Sequence, residues 1–329
     1  MAALSRAAAH ERPFAPIGRV HVCDHYIIQG TDFKARSWLK PIGERAKFFD
    51  TATQLTQLLR LSGSKCLIFR YMNSSPNILL EIMFTCLLAT ICLCRRWLDL
   101  RIFWILHNID RESYDHFPFW TRLRRATLWR TAEKVFVTDQ LFKELYFREN
   151  SQVEAISFGQ KRTGSIKPAT LAGLERLRAR CDQIGMAIGS SHAKCVHNQR
   201  LAHLQALAAK AGIRLGLLVS SHAQLAGDDV LHVDEPDIDE TALRDRIDFV
   251  YRINDDISMP YTIYTAAGAG LPIVTSAAHF THKIVERHGI GFSEEGWFSA
   301  GELDIARVKG NLRAFAAQGR WASLTDRLP

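Results

Sequence analysis

The 329-residue sequence has no CxxC pair, no GxGxxG stretch and no Walker-type phosphate loop. The last two absences remove the dinucleotide and P-loop fingerprints, whose spacings are what their chemistry requires. Its seven cysteines, at 23, 66, 86, 92, 94, 181 and 195, are odd in number and unpaired in spacing. That pattern excludes a disulfide framework and points to a reducing cytoplasm. Three of them sit in one apolar run and read as small hydrophobes. Cys195, between His192 and His197, is the one grouping that hints at a metal; structural zinc needs paired spacing, so none is expected, and no cofactor. The opening "MAALSRAAAHERPFAPIGR" lacks the apolar core of a secretory signal, so export is not expected. No RNA-binding motif, short-period repeat or low-complexity tract is present, and nucleic acid is not an expected partner.

What is there begins with apolar content. Hydrophobic residues make up 47%, enough to bury real cores. Lys and Arg number 42 against 34 Asp and Glu, a net charge of +8 that favours an anionic partner. The run "NILLEIMFTCLLATICLC" (77–94) approaches the length of a membrane span, and Arg95 and Arg96 follow it. Glu81 lies inside it and a strand-like run follows closely, so the expected reading is a buried helix packed on a sheet. A true span and a helix resting on a bilayer surface are the alternatives.

Apolar runs alternate with helical stretches along the chain. "RVHVC" (19–23), "KCLIF" (65–69), "LRIFWIL" (100–106), "KVFVT" (134–138) and "VEAISFG" (153–159) read as strands. Helices are expected at 77–94, 119–133 and 139–148. A second series begins with "GMAIGSS" (185–191) and continues through "IRLGLLVSS", "VLHVD", "DFVYR" and "LPIVTS". Continuous apolar runs separated by helices are what parallel sheets covered on both faces require. The pattern predicts an α/β chain of two Rossmann-like, doubly wound domains, 1–160 and 185–329, joined by a linker at 161–184. Ligands in such sheets bind outside the carboxyl ends of the strands.

"WILHNIDRE" (104–112) runs from a strand straight into proton-carrying groups. It reads equally as a ligand-facing strand end and as an ordinary loop in which Asn108 and Asp110 satisfy local backbone. "AIGSSHAK" places Gly189, Ser190 and Lys194 at a helix start, where exposed N–H groups favour phosphate. In "DFVYRINDDISMPYT", Ser258 reads as the N-cap before Met259-Pro260, and the N–H groups behind it suit a diphosphate or plain capping.

In this order the motifs resemble the GT-B glycosyltransferases, especially the bacterial polysaccharide enzymes of group 1 type. The resemblance rests on "WILHNID", "LWRTAEKVFVTD", "VEAISFGQ", "IGSSHAK" and "LHVDEPDIDETALRDRIDFVYRINDDIS…AAGAGLPIVTS…IVERHGIGF", and covers roughly residues 65–292. It implies two lobes facing across a cleft, with a nucleotide-sugar donor, UDP- or GDP-linked, mainly on the C-terminal lobe. A glycan or lipid-linked acceptor would lie on the N-terminal one. It makes Gly189, Ser190 and Lys194 donor-phosphate ligands, with Arg252, Ser258, Tyr261 and Thr262 lining the same pocket and His107 facing the transferred sugar. Ile257 and Thr265 stand where retaining relatives carry two glutamates, and Phe158-Gly159 replaces a histidine-glycine pair. The sequence stops soon after "QGRWASLTDRLP", so the usual return helix is expected to be short.

The missing carboxylates favour inversion, and the resemblance to GT-B enzymes implies that no metal is bound. Lys194 and Arg252 would stabilise the leaving diphosphate, and His107 or Asp110 would be the base, with Asp115 and Asp24 behind them. A silent nucleotide-sugar-binding relative and a GT-B epimerase are the alternatives. "DID" (237–239) reads as helix capping before it reads as a metal motif, and His279 and His282 read as loop residues. Arg122, Arg125 and Arg130 beside Trp120 and Trp129 suit an anionic membrane surface or a solvated helix face. Together these readings predict a cytoplasmic protein, peripheral at the inner face of the plasma membrane.

Overall fold

The computed structural model describes residues 22–112, 115–160, 166–187, 198–221, 223–233 and 240–329. They divide into two compact units. The first comprises the described residues up to Phe158 together with Trp321–Pro329; the second is Gly159–Arg320.

In the first unit the order is β1 (His25–Gln29), α1 (Phe33–Leu39), a 3₁₀ segment (Lys40–Arg45), β2 (Ala46–Phe49), α2 (Ala52–Leu59) and β3 (Lys65–Phe69). Then follow α3 (Ile78–Cys94), β4 (Leu100–Leu106), α4 (Pro118–Thr131), β5 (Lys134–Val137), α5 (Gln140–Tyr146) and β6 (Val153–Ala155). The six strands form one sheet in the order β2-β1-β3-β4-β5-β6, and every pairing is parallel. β3 is buried at all five positions because helices cover both faces of the sheet. Short polar side chains set the helix starts: Asp32 accepts from the Ala35 N–H at 2.9 Å, Asn77 from Leu79 at 2.9 Å and Asp139 from Leu141 at 2.8 Å.

The second unit runs α6 (Pro168–Arg178), β7 (Gln183–Ala187), α7 (Asn198–Lys210), β8 (Leu215–Ser220), β9 (Val230–Val233), α8 (Glu240–Leu243) and β10 (Phe249–Tyr251). It continues with α9 (Tyr261–Ala269), β11 (Ile273–Thr275), α10 (Phe280–His288), β12 (Gly291–Ser293), α11 (Glu294–Ser299) and α12 (Glu302–Gln318). Its parallel sheet has the order β12-β11-β10-β7-β8-β9. The chain winds outward from β7 through β8 to β9, then restarts beside β7 at β10 and winds the other way. The join between β7 and β10 is therefore the topological switch point. Gly185 makes that join close: a Cβ there would lie 2.5 Å from Phe249 Cζ.

α13 (Ala322–Thr325) belongs to the first unit. The Ser323 hydroxyl donates to the Ser157 carbonyl at 2.9 Å and accepts from the Ser157 N–H at 3.0 Å. Trp321 stacks edge-on to Trp38 and Phe158.

The expected doubly wound α/β architecture is present in both units, with differences in detail. Among the described residues the first strand is His25–Gln29; Val22 and Cys23, the described part of 19–23, lie outside it, and β2 and β12, of four and three residues, were not anticipated. The stretch expected to link the units carries α6, which packs Gly173 beneath Leu231 of β9. His282 lies inside α10 and His279 is its N-cap residue, so only His279 borders a loop.

α3 is half buried. Glu81, Thr85, Leu88 and Cys92 form its inner stripe. The Glu81 carboxylate accepts from Arg124 Nη1 of α4 at 2.6 Å, and both side chains are almost wholly buried. Removing one partner of such a pair strands a charge in low dielectric. Arg124→Ala should lose about 3–5 kcal/mol of unfolding free energy, while Arg124→Met with Glu81→Leu recovers most of it; denaturant unfolding measures both.

Candidate functional site

The carboxyl edge of the first sheet gathers side chains from the ends of β1, β3 and β4. Gly30 follows β1 with φ +99°, and a Cβ there would lie 2.5 Å from Arg70 Nη1. Only glycine leaves room for that guanidinium. Arg70, directly after β3, is fully buried, pairs with Asp32 at 3.1 Å and lies over the rings of Trp38 and Tyr71. His107, directly after β4, is buried and stacks on Tyr71 with ring centroids 4.5 Å apart. The Phe158 ring lies nearly parallel to it as well, with centroids 6.1 Å apart. His107 Nε2 is buried and has no hydrogen-bond partner among the described residues. Burial, with Arg70 and Lys34 nearby, holds the imidazole well below its ordinary value, so the ring is neutral at pH 7.

The loop after β4 is clamped from α4. Arg125 Nη1 donates to Glu112 at 2.9 Å, and Nη2 to the carbonyls of Asn108 at 3.1 Å and Ile109 at 2.8 Å. Arg125 was expected on an exposed helix surface, facing either a membrane or solvent; it is buried instead, because a loop rich in carbonyls and a carboxylate lies beneath it. Burial raises the Glu112 carboxyl, with Arg125 opposing. Asp110 is exposed. Asp115 accepts from the Thr121 hydroxyl at 2.8 Å and serves the start of α4. Asp24 precedes β1, so it sits at the amino edge of the sheet, bound to Ser64. That position removes it from the set of candidate bases.

In the second unit the described candidates share the carboxyl ends of β10 and β11. Arg252 follows β10, is buried, and donates its backbone N–H to Val274 at 2.9 Å. Ser258 is not the helix cap expected of it. α9 begins at Tyr261 with Pro260 as N-cap residue, and the Ser258 hydroxyl donates to Asp256 at 2.5 Å instead. Asn254 Nδ2 donates to Ser258 Oγ at 3.0 Å, completing a buried polar knot. Asn254 Oδ1 and Thr275 Oγ1 are buried without a partner among the described residues. Tyr261 and Thr262 open α9, half-buried, with the Tyr261 phenol donating to the Gly159 carbonyl at 3.2 Å. Gly189, Ser190 and Lys194 lie outside the described residues, as do Cys195 and 237–239. The segment that holds the first three follows β7, the strand paired with β10 through Phe249 with Gly185 and Val250 with Met186.

Arg70, Asp32, Asn254, Asp256 and Arg200 were not foreseen. Arg200, in the first turn of α7, donates to Ser276 Oγ at 2.5 Å and lies 3.6 Å from Glu294, which also accepts from the Tyr251 phenol at 2.5 Å. A signal for Arg70 did exist: "KCLIFR" ends a buried strand in a cation just as "WIL" ends in His107.

No protein-family model matches the chain, and no curated protein matches it. Solved structures do. The chain is similar to HepE of Anabaena, crystallised with UDP-glucose, at 14% identity and TM-score 0.55, covering 92% of this chain and 97% of that one. It is similar to WaaG, a glycosyltransferase involved in lipopolysaccharide biosynthesis, at 12% identity and TM-score 0.54, covering 92% and 97%. It is also similar to an α,α-trehalose-phosphate synthase (UDP-forming) of Burkholderia vietnamiensis, at 11% identity and TM-score 0.56, covering 84% and 73%. The fold is the GT-B fold, two Rossmann-like units in one chain.

His107 supplies a pH signature. Its folded-state value is depressed, so the unfolded chain takes up the proton first. The stabilisation is complete above about pH 6.5 and drains away as pH falls toward the folded value. His107→Phe keeps the ring stack without the titration. Its unfolding free energy should therefore fall less than that of the parent between pH 7.5 and pH 5.

Proposed function

We propose that the chain is a glycosyltransferase that moves a sugar from a nucleotide donor to a glycan or lipid-linked acceptor in polysaccharide assembly. The observation that carries this reading is the switch point of the second sheet. There β7 and β10 pair side by side; in the sequence Gly189, Ser190 and Lys194 follow the first, and Arg252 and Ser258 follow the second. Doubly wound sheets bind ligands at that point. Arg252 and the N–H groups opening α9 suit a diphosphate, and the unsatisfied Asn254 and Thr275 oxygens suit a hydroxylated ligand. UDP is favoured over GDP because the fold neighbour HepE was crystallised with UDP and UDP-glucose.

Lys194 and Arg252 would balance the charge that grows on the leaving diphosphate, without a metal. Ile257 and Thr265 in place of paired glutamates support inversion, which needs a single base. The exposed Asp110 fits that role better than His107, whose neutral, stacked ring fits contact with the sugar. The work would be done in the cytoplasm, at the inner face of the plasma membrane.

Thermal melting against UDP, UDP-glucose, GDP and GDP-mannose tests the donor site, because a ligand that binds only the folded chain raises the midpoint. UDP and its sugar should raise it, and Lys194→Ala with Ser258→Ala should weaken UDP affinity at least tenfold, about 1.4 kcal/mol. His107→Ala and Asp110→Asn should abolish transfer with UDP affinity within twofold of the parent. No response to any nucleotide would sink the reading. Binding without transfer would mark a silent relative, and donor conversion without acceptor an epimerase.

A further inference from the structure

The outward stripe of α3 is Leu79, Met83, Cys86, Thr90 and Leu93, spaced four, three, four and three, so that one side of the helix carries no charge. Leu79 is 66% exposed, Met83 65% and Leu93 82%, and Trp97 just beyond is 88% exposed. Packed beside α3, α4 shows Phe119, 68% exposed, and Leu123. The connections β3–α3–β4 and β4–α4–β5 step the same way across the sheet, which puts both helices on one face. Apolar surface of this extent and continuity marks an interaction site.

The exposed charges on the two helices themselves have one sign; the exposed acids Asp99 and Glu133 lie beyond their C-terminal ends, Glu133 paired with Arg101. Arg96, Arg122 and Arg130 are exposed on these helices or just after α3. The sole acid of the two helices, Glu81, is buried against Arg124. A second copy laid face to face would set arginine against arginine, which argues against self-association. α3 has 17 residues, about 25 Å at 1.5 Å per residue, short of the ~30 Å hydrocarbon core. No helix among the described residues is long and apolar enough to cross a membrane. The inner stripe of α3 is also held to the unit by Glu81 and Thr85.

We propose that α3 and α4 form a docking face that lies in the plane of an anionic bilayer, with Leu79, Met83, Leu93 and Phe119 entering the acyl boundary and Arg96, Arg122 and Arg130 meeting the headgroups. This deepens the membrane part of the functional reading by assigning its surface, and it rests on that part alone, not on sugar transfer. Affinity would combine apolar burial with screened attraction, so it should fall with added salt.

Co-sedimentation of the full chain with vesicles tests it. Vesicles of phosphatidylcholine with 30% phosphatidylglycerol should capture the chain, and phosphatidylcholine alone should not. Leu79→Glu with Met83→Glu should lower partitioning at least tenfold. Arg122→Gln with Arg130→Gln should lower it severalfold and flatten the salt dependence. All four positions are exposed, and an unchanged melting midpoint shows each variant folded. UDP binding, followed in the same variants, should stay at the parental level, which separates failure of docking from failure of the donor site. Equal capture by neutral and anionic vesicles, capture unaltered by both double variants, or concentration-dependent dimerisation with no capture at all would each overturn the proposal.

Discussion

Two consecutive arginines on α4 set the geometry of the first unit's carboxyl edge. Neighbouring residues on a helix project about 100° apart, so Arg124 and Arg125 reach different loops from one backbone position. Arg124 takes Glu81 of α3 and the carbonyl of Met72, beyond β3. Arg125 takes Glu112 and two carbonyls beyond β4. The loops that carry Tyr71 and His107 are thus tied to one helix through buried charge. Removing either cation would leave acceptors without donors in a dry interior, the costly side of the hydrogen-bond asymmetry.

The long apolar strands were legible in the sequence, and so were the edge strands β6 and β9; β1, β2 and β12 were not. β3, β4 and β5 are apolar on both faces and announce themselves as unbroken runs. β1 was missed because "HYIIQ" opens on His25 and Tyr26, while the alternation at 19–23 looked more like a strand. β12 has three residues and no strong β-former beyond Phe292. Charge reading failed at Arg125 for a different reason. A guanidinium's environment is set by what folds over it, and nothing within a helix records that. Ser258 shows the same limit locally: Ser-Met-Pro looks like a cap, yet the helix starts one residue after the proline and the hydroxyl turns to Asp256.

In the second unit the candidate residues are united by topology more than by motif. Reversal of winding at β7 and β10 brings two strand ends side by side that lie far apart in the chain, and each is followed by small or polar residues. The knot of Asn254, Asp256 and Ser258 holds the second of these segments rigid within a few residues of the start of α9. Such rigidity is what a site needs if backbone N–H groups are to meet an anion without reorganising.

Residues 321–329 belong to the first unit, although the whole second unit is synthesised in between. During translation, the aromatic cluster of Trp38, Phe158 and His107 therefore stands without Trp321, and the Ser157 backbone without Ser323, until the second unit has been synthesised. The part made first is the part completed last. A tag, fusion or stop codon placed at residue 320 would thus damage the unit that precedes Gly159, a long-distance penalty that a residue-by-residue map would not suggest.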